Sequence, residues 1–106
     1  MNDTGERTTF PSGMERDTAS DKVRWDLVWD GPMLPRYAEL LTEGAKKYAP
    51  RNWMLANSPA ELERARISLC RHFAKYILDW SDEDHAAAVI FNLNLVEYIK
   101  DRLEKE

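Results

Sequence analysis

The amino-acid sequence predicts an all-α fold, a bundle of about three main helices preceded by an irregular arm. Three long stretches repeat their apolar residues at steps of three and four, which is the period of a helix with one buried face. Two of these stretches begin at helix-capping patterns. No alternation of Val, Ile or Thr flanks a hairpin turn, so a β-sheet fold is not expected. A length of 106 residues indicates a single domain.

The predicted arm comprises residues 1–31, and the predicted helical domain comprises residues 32–106. The arm is rich in Thr, Ser, Asp, Gly and Arg and lacks helical or strand periodicity. Either it is a loose tail, as chain termini often are, or its apolar side chains hold it against the helical body or a neighbouring subunit. Those side chains are Phe10, Trp25, Leu27 and Trp29.

The first predicted helix runs from about Pro32 to Tyr48 and ends before the proline that follows. The second begins at Ser58, which forms a capping box with Glu61, and the proline between them suits the first helical position. The apolar stripe of the first helix is Leu34, Tyr37, Leu41, Ala45 and Tyr48, and that of the second is Leu62, Ala65, Leu69, Phe73, Tyr76 and Trp80.

The third predicted helix runs from about Asp82 to Leu103, with Ser81 and Asp84 as its capping box. Its first half is apolar nearly all round, so cover on one side only would leave apolar surface exposed. We therefore expect this helix in the middle of the bundle, completed by another subunit of a homodimer or homotetramer.

Composition excludes several classes of protein. A net charge of −4 and a pI near 5.2 do not fit a nucleic-acid-binding protein, which needs a basic face. No apolar run approaches the roughly 20 residues of a membrane span, and the polar start lacks the apolar region of a signal peptide. The single Cys70 can form no internal disulfide and fits a reducing compartment. We therefore expect a cytoplasmic protein with no membrane or nucleic-acid partner.

Acidic side chains occur in two groups that are distant in the sequence. Glu39 and Glu43 share a helix face, so they are either ligands for a hard cation such as Mg²⁺ or partners of nearby Lys and Arg in exposed ion pairs. The second group contains four acids, whereas helix capping needs only one or two. If the first helix crosses the second group, the two groups form an oxygen cage for divalent ions. The second group consists of Asp79, Asp82, Glu83 and Asp84.

Three further polar residues fall within the predicted helices. Asn92 lies on an apolar helix face, where it either ties two helices together or contacts a ligand. His72 and His85 are each either a satisfied structural residue or a functional group. Their separation, with only one Cys in the chain, matches no structural zinc spacing.

Cationic side chains stand beside aromatic ones, a combination that suits a nucleotide because cations bind phosphates and flat rings stack on bases. Glycine-rich phosphate loops and the GxSxG nucleophile motif are absent from the sequence. The cations are Lys22, Arg24, Lys46, Lys47, Arg51 and Arg71, and the aromatics are Trp25, Tyr48, Trp53 and Phe73.

Five ordered blocks, which span roughly residues 5–98, resemble a known family. This is a phage-rich group of small proteins described as dATP/dGTP diphosphohydrolases, relatives of the all-α nucleotide pyrophosphohydrolases of the MazG type. If a phage encodes the chain, its location would be the host cytoplasm. The blocks are SGMERD at 12–17, KVRWDL at 22–27, EGAKKYAPRNW at 43–53, RHF at 71–73 and DEDHAAAVIFN at 82–92.

The resemblance implies an enzyme that cleaves a purine nucleoside triphosphate, such as dATP or dGTP, to a monophosphate and pyrophosphate. It implies Mg²⁺ as cofactor, with Mn²⁺ as an alternative, and Glu43 and Glu83 as catalytic residues. The expected metal ligands are Glu39, Glu43, Glu83 and Asp84. The expected substrate-binding residues are Lys22, Arg24, Lys47, Asn52, Trp53, Arg71, His72, His85 and Asn92.

One departure from the family pattern keeps a second function open. MazG-type enzymes carry acidic pairs spaced i,i+3, whereas Glu39 and Glu43 are spaced i,i+4 and an alanine stands three residues after Glu83. The metal site is therefore rearranged, completed by another subunit, or lost. The alternative to an enzyme is a non-catalytic, oligomeric nucleotide-binding or regulatory phage module. An HD-type phosphohydrolase is disfavoured because its His-Asp dipeptide is reversed here, Asp84 preceding His85.

Overall fold

The computed structural model describes residues 7–17 and 22–105, and the three helices that dominate it confirm the all-α class. The first helix begins and ends close to its predicted bounds, the second begins directly after its predicted cap Ser58, and the third begins three residues later than predicted. Residues 1–6 and 18–21 of the predicted arm, and residue 106, lie outside the described residues. The helices are α1 (Met33–Lys47), α2 (Pro59–Ile77) and α3 (His85–Lys105).

Helix α3 is the central helix, as its apolar sequence predicts. It packs against both α1 and α2, and the α2 contact is the more extensive one. The Asn94 amide donates to the Tyr37 hydroxyl at 3.4 Å, which adds a polar tie between α3 and α1. The core between α2 and α3 is small: Ala56, Ala65, Val96 and Ile99 are buried, and Leu62, Leu69, Leu95, Tyr98 and Leu103 pack around them.

The start of α2 confirms the predicted capping box. The Ser58 hydroxyl oxygen accepts from the Glu61 backbone N–H at 3.3 Å, and the Glu61 carboxylate accepts from the Ser58 hydroxyl at 2.7 Å and from the Asn57 N–H at 3.0 Å. These three hydrogen bonds satisfy three donors at the start of the helix, and they fix the residue at which α2 begins.

The predicted apolar stripe of α2 is correct only in its first half. From Leu69 the buried face continues to His72, one position before the predicted Phe73, because α2 turns the imidazole towards α3. One position along a helix is a rotation of about 100°, so Phe73 points away from α3. The last three side chains of the predicted stripe, Phe73, Tyr76 and Trp80, are more than half exposed.

The α2–α3 connection uses its acids differently from the prediction. Helix α2 ends in a Schellman motif, in which the Trp80 N–H donates to the Lys75 carbonyl at 3.0 Å. Asp79 lies within this motif and has a positive φ of 60°. Asp84 is itself the cap of α3, because its carboxylate accepts from the Ala87 N–H at 3.1 Å. The predicted box with Ser81 is therefore wrong, and Asp82 and Glu83 lie in the connection instead of the first helical turn.

The arm contains a small β-hairpin, which the sequence did not predict. Two short strands, β1 (Arg7–Thr9) and β2 (Glu15–Asp17), pair antiparallel within the predicted arm. The turn is closed by the Gly13 N–H, which donates to the Phe10 carbonyl at 2.8 Å, and Gly13 adopts a φ of 91° that favours glycine. Strands of three exposed residues are too short to show an apolar alternation.

The apolar side chains of the arm do not pack onto the helices of this protomer. Phe10, Trp25, Leu27 and Trp29 are all exposed, the last three in or around a short 3₁₀ helix at Trp25–Trp29. The radius of gyration is 19.2 Å, well above the roughly 13 Å of a compact domain of this length. The protomer thus leaves much apolar surface uncovered. Within the residues described, no helix is long and apolar enough to cross a membrane.

Candidate functional site

Carboxylates from two distant parts of the chain line one small cleft between α1 and the start of α3. This acidic cleft has a volume of about 280 Å³. Two members of each predicted acidic group line this cleft, because α1 lies beside the α2–α3 connection. Asp79 and Asp82 are not among them, and within residues 7–17 and 22–105 no three carboxylates come within 4.8 Å of one another in the cleft. Its lining consists of Arg36, Glu39, Leu40, Glu43, Glu83 and Asp84, which includes all four predicted metal ligands.

Within the acidic cleft, Asp84 is fully engaged. The Arg36 guanidinium donates from Nε and Nη2 to its two oxygens at 2.7 and 2.5 Å, and the Ala87 N–H donates to the same carboxylate. The Arg36 hydrogen bonds lower the pKa of Asp84 from 3.8 to about 2, against a smaller opposing effect of burial. This bidentate pair joins α1 to α3, and it places a cationic guanidinium against both oxygens of Asp84, where a metal ion would have to compete with it.

The glutamates of the acidic cleft are held less firmly than Asp84. Glu43 accepts from the Lys46 ammonium at 3.2 Å, and both side chains are about three-quarters exposed, so the exposed ion pair that the sequence left open is present for Glu43. Such a pair contributes little stability and breaks readily. Arg36 pairs with Asp84 and not with Glu39.

A larger cleft of about 1030 Å³ adjoins the acidic cleft and shares Glu43 and Glu83 with it. Its walls are the second half of α1, the loop that follows, a 3₁₀ helix at Asn52–Leu55, and Phe91 of α3. The predicted residues Lys47, Asn52 and Trp53 line it. Three further side chains in its lining, Lys46, Tyr48 and Arg51, were outside the predicted site, although the pattern of cations beside aromatic rings had already singled them out.

The wall formed by the 3₁₀ helix is fixed to α3. The Trp53 ring meets the rings of Phe91 and Tyr98 edge-on, with centroids 6.5 and 5.1 Å apart. The Tyr98 hydroxyl donates to the Met54 carbonyl at 2.9 Å, and Arg102 donates to the same carbonyl at 2.8 Å. The large cleft is therefore bounded by a positioned loop on one side.

Behind Glu83 lies a buried pair of imidazoles. The Nδ1 atoms of His72 and His85 are 2.9 Å apart, His85 Nε2 is 2.6 Å from an Asp82 oxygen, and His72 Nδ1 is 3.7 Å from a Glu83 oxygen. Burial lowers the pKa of His72, against the opposing attraction of Glu83. Neither imidazole is part of the lining of the two clefts. Sequence reasoning weighed each His alone and placed Asp82 among the acids of the second group, so it did not predict that these three side chains would be in contact.

A family model described as dATP/dGTP diphosphohydrolase, N-terminal, matches residues 12–106. The chain belongs to this family. The match confirms the resemblance of the five sequence blocks, because it contains all of them, and it includes every predicted site residue. The description of the dATP/dGTP diphosphohydrolase N-terminal family points to a diphosphohydrolase enzyme. No curated protein and no solved structure was found to match the chain.

In this member of the dATP/dGTP diphosphohydrolase N-terminal family, six predicted substrate-binding residues lie outside both clefts: the two histidines and four others. Arg24 pairs with Asp26, and Arg71 donates to Ser68 at 3.4 Å. The Asn92 amide donates to the Ala88 carbonyl at 2.9 Å, so its hydrogen bond stays within α3 and ties no second helix. Lys22 is exposed on the arm. Their roles in binding stay predictions.

Proposed function

We propose that the chain is a metal-dependent nucleoside triphosphate diphosphohydrolase that converts a deoxypurine triphosphate, such as dATP or dGTP, to the monophosphate and pyrophosphate. One observation carries the proposal: Glu43 and Glu83 line both clefts, so a carboxylate-rich cleft is continuous with one lined by cations and aromatic rings. Membership of the dATP/dGTP diphosphohydrolase N-terminal family supports the same reaction class. We place the reaction in the cytoplasm.

The acidic cleft has the donor chemistry of a Mg²⁺ site, with Mn²⁺ as an alternative ion. Glu39, Glu43 and Glu83 present carboxylate oxygens, the ligands that hard cations prefer. A volume of about 280 Å³ leaves room for an ion together with several waters, each of which takes about 30 Å³. Asp84 would join the ligand set only by exchanging Arg36 for the ion. A bound divalent ion would neutralise phosphate charge and activate a water for attack.

The side chains of the large cleft suit the triphosphate and the base. Lys46, Lys47 and Arg51 would bind phosphate oxygens and stabilise the negative charge that develops on the departing pyrophosphate. The exposed Tyr48 ring offers a stacking surface for a purine. Arg51 has a positive φ of 61°, and a non-glycine residue in this conformation is typical of a loop held in place for binding.

Hydrolysis requires one proton acceptor near the α-phosphorus. Glu43 and Glu83 stand where the acidic and large clefts meet, so either carboxylate can accept a proton from the attacking water. A bond forms between the water oxygen and the α-phosphorus as the bond from that phosphorus to the bridging oxygen breaks. The products are a nucleoside monophosphate and pyrophosphate, with the proton left on the carboxylate.

The proposal is tested by incubating the purified protein with each of the four dNTPs and Mg²⁺ or Mn²⁺. We expect ³¹P NMR to show monophosphate and pyrophosphate from dATP or dGTP, and we expect Glu43→Gln to abolish turnover. Glu63→Gln on the exposed side of α2 is the matched control and should retain it. Nucleotide binding without pyrophosphate release, for every dNTP and both ions, would instead favour the non-catalytic nucleotide-binding module.

We also propose that protomers associate into a homodimer or homotetramer. The end of α2 and the residues that follow it leave five apolar residues more than half exposed, and large exposed apolar patches mark interaction surfaces. Light scattering coupled to size exclusion should give a mass at least twice 12.4 kDa, and Tyr76→Lys should reduce it. The five side chains are Phe73, Tyr76, Ile77, Leu78 and Trp80.

A further inference from the structure

Two imidazoles and one carboxylate converge at the junction of α2 and α3. The ligand atoms of His72, Glu83 and His85 all lie within 4.8 Å of one another. In residues 7–17 and 22–105, no other set of three His, Cys, Asp or Glu side chains is gathered so closely. The imidazoles are buried, and the Glu83 side chain is 55% exposed, so the cluster is closed on the protein side and open towards solvent at Glu83.

The hydrogen bond from Asp82 determines which nitrogen of His85 is free. An ionised carboxylate can only accept a hydrogen bond, so the proton in the 2.6 Å contact belongs to His85 Nε2. The His85 tautomer with its proton on Nε2 has a bare lone pair on Nδ1, which faces His72. A carboxylate on the outer nitrogen of an imidazole is the arrangement that orients histidine ligands in metalloproteins.

His72 is suited to the same role. A neutral imidazole carries one proton, on one of its two nitrogens. In the metal-free protein this proton lies on Nδ1 and is donated to His85 Nδ1 across 2.9 Å. If the proton is carried on Nε2 instead, both Nδ1 lone pairs point into the same space.

We infer that His72, His85 and Glu83 form a binding site for a divalent transition-metal ion such as Zn²⁺, oriented by Asp82. Zn–N bonds of about 2.0–2.1 Å at tetrahedral angles place two ligand nitrogens about 3.3 Å apart. The observed separations of 2.9 Å between the two Nδ1 atoms and 3.7 Å from His72 Nδ1 to Glu83 lie on either side of this value. All three ligand atoms lie within 4.8 Å of one another, and the exposed Glu83 side chain is the one that would move inwards to close the site around an ion.

Two imidazoles and one carboxylate make a set of three protein ligands, which leaves a fourth position of a tetrahedral ion open. Glu83 directs that position towards the two clefts, whose lining it joins. Nitrogen donors favour Zn²⁺, Co²⁺ and Ni²⁺ over Mg²⁺, so this site differs in metal preference from the all-oxygen acidic cleft. The two His are separated too widely for a local zinc motif, and only the packing of α2 on α3 brings them together.

The inference does not rest on the proposed hydrolase activity, because metal binding can be measured without nucleotide. The full-length protein, stripped with EDTA and dialysed, is titrated with Co²⁺. We expect one equivalent to produce the visible d–d absorption bands of four- or five-coordinate Co²⁺, and one equivalent of Zn²⁺ to remove them. Only the weak spectrum of octahedral Co²⁺ would overturn the inference.

Single substitutions test which side chains hold the ion. Glu83→Gln, at an exposed position that tolerates exchange, and His72→Gln should each abolish the bands. Asp82→Ala should weaken Co²⁺ binding by about 10- to 100-fold, the range for loss of a group that orients a ligand. Cys70→Ser is a control for the exposed thiol, and Glu43→Gln is a control for the acidic cleft. Both controls should leave the bands unchanged.

Two outcomes contradict the assignment: bands that survive Glu83→Gln, and bands that disappear with Cys70→Ser or Glu43→Gln. Should His72→Gln fail to fold, the native protein still decides the question. Paramagnetic Co²⁺ must then shift the imidazole proton resonances of His72 and His85 strongly, and unshifted resonances in the presence of bound Co²⁺ would place the ion elsewhere. Loss of pyrophosphate release in any variant has no bearing on these readouts.

Discussion

Asp84 should stabilise the fold in two separable ways, as the partner of Arg36 and as the cap of α3. Asp84→Asn removes the charge but keeps an oxygen for the Ala87 N–H, since Asn caps helices as well as Asp does. Asp84→Ala removes both. Comparing the two variants therefore divides the contribution of one side chain between the bridge from α1 to α3 and the start of α3.

The magnitude follows from the pKa. A fall from 3.8 to about 2 corresponds to roughly 2.4 kcal/mol, at about 1.36 kcal/mol for each tenfold change in proton affinity. The Arg36 and Asp84 side chains are 41% and 36% exposed, so solvent screening reduces this to about 1 kcal/mol, the upper end for surface pairs. We expect Asp84→Asn to cost about 1 kcal/mol and Asp84→Ala about 2 kcal/mol, the difference being a typical N-cap.

The assay is urea unfolding of the EDTA-treated protein, followed by far-ultraviolet circular dichroism. Because the folded-state pKa is lowered, the charge-dependent stabilisation is complete above about pH 4 and declines as the pH falls towards the folded value near 2. The gap between wild type and Asp84→Asn should narrow accordingly. Equal stability of all three proteins at pH 7, or a gap that widens in acid, would refute the reasoning. Arg36→Met should reproduce the effect of Asp84→Asn and add little to it.

Three further variants test single features of the fold and the clefts. Ser58→Ala removes the α2 cap and should lower the free energy of unfolding by about 1 kcal/mol; an unchanged urea midpoint would contradict the capping box. Asp79→Gly relieves a positive φ of 60° and should raise the free energy of unfolding by about 0.5–1 kcal/mol, seen as a higher melting temperature. Gly44→Ala meets open space within the helix and should stabilise α1 by about 0.8–1 kcal/mol. Since Gly44 lines the large cleft, the same methyl group should raise KM for dATP or dGTP, and an unchanged KM would place the substrate elsewhere.

The helices were predictable because their signals are local. Periodicity located α1 and α2 to within a few residues, and the Ser58–Glu61 capping box fixed the start of α2. The later start of α3 depends on Asp84, whose carboxylate had two plausible roles in the sequence. The hairpin gave no signal because its strands of three residues are exposed, and only the glycine of its turn marked it.

The candidate site was predictable as a set of acids and unpredictable in its pairings. The sequence placed Glu39 and Glu43 on one helix face and Glu83 beside Asp84, so one assumption about helix crossing brought them together. A single sequence does not show which of the nearby acids Arg36 will pair with. The approach of two imidazoles likewise depends on how α2 rotates against α3, which also turned Phe73 outward. Such rotations follow from tertiary packing and leave no local pattern.

The residues 78–84 end one helix, begin the next and supply Asp82, Glu83 and Asp84 to their neighbours. The length of this connection therefore constrains the fold as strictly as the identity of its residues does. Deleting one residue would shorten the reach of this connection by up to about 3.5 Å and would disturb the imidazole contact, the arginine bridge and the acidic cleft together. An engineer who wished to graft a loop or a fluorophore onto this chain should choose the hairpin turn at Pro11–Ser12 and leave residues 78–84 unchanged.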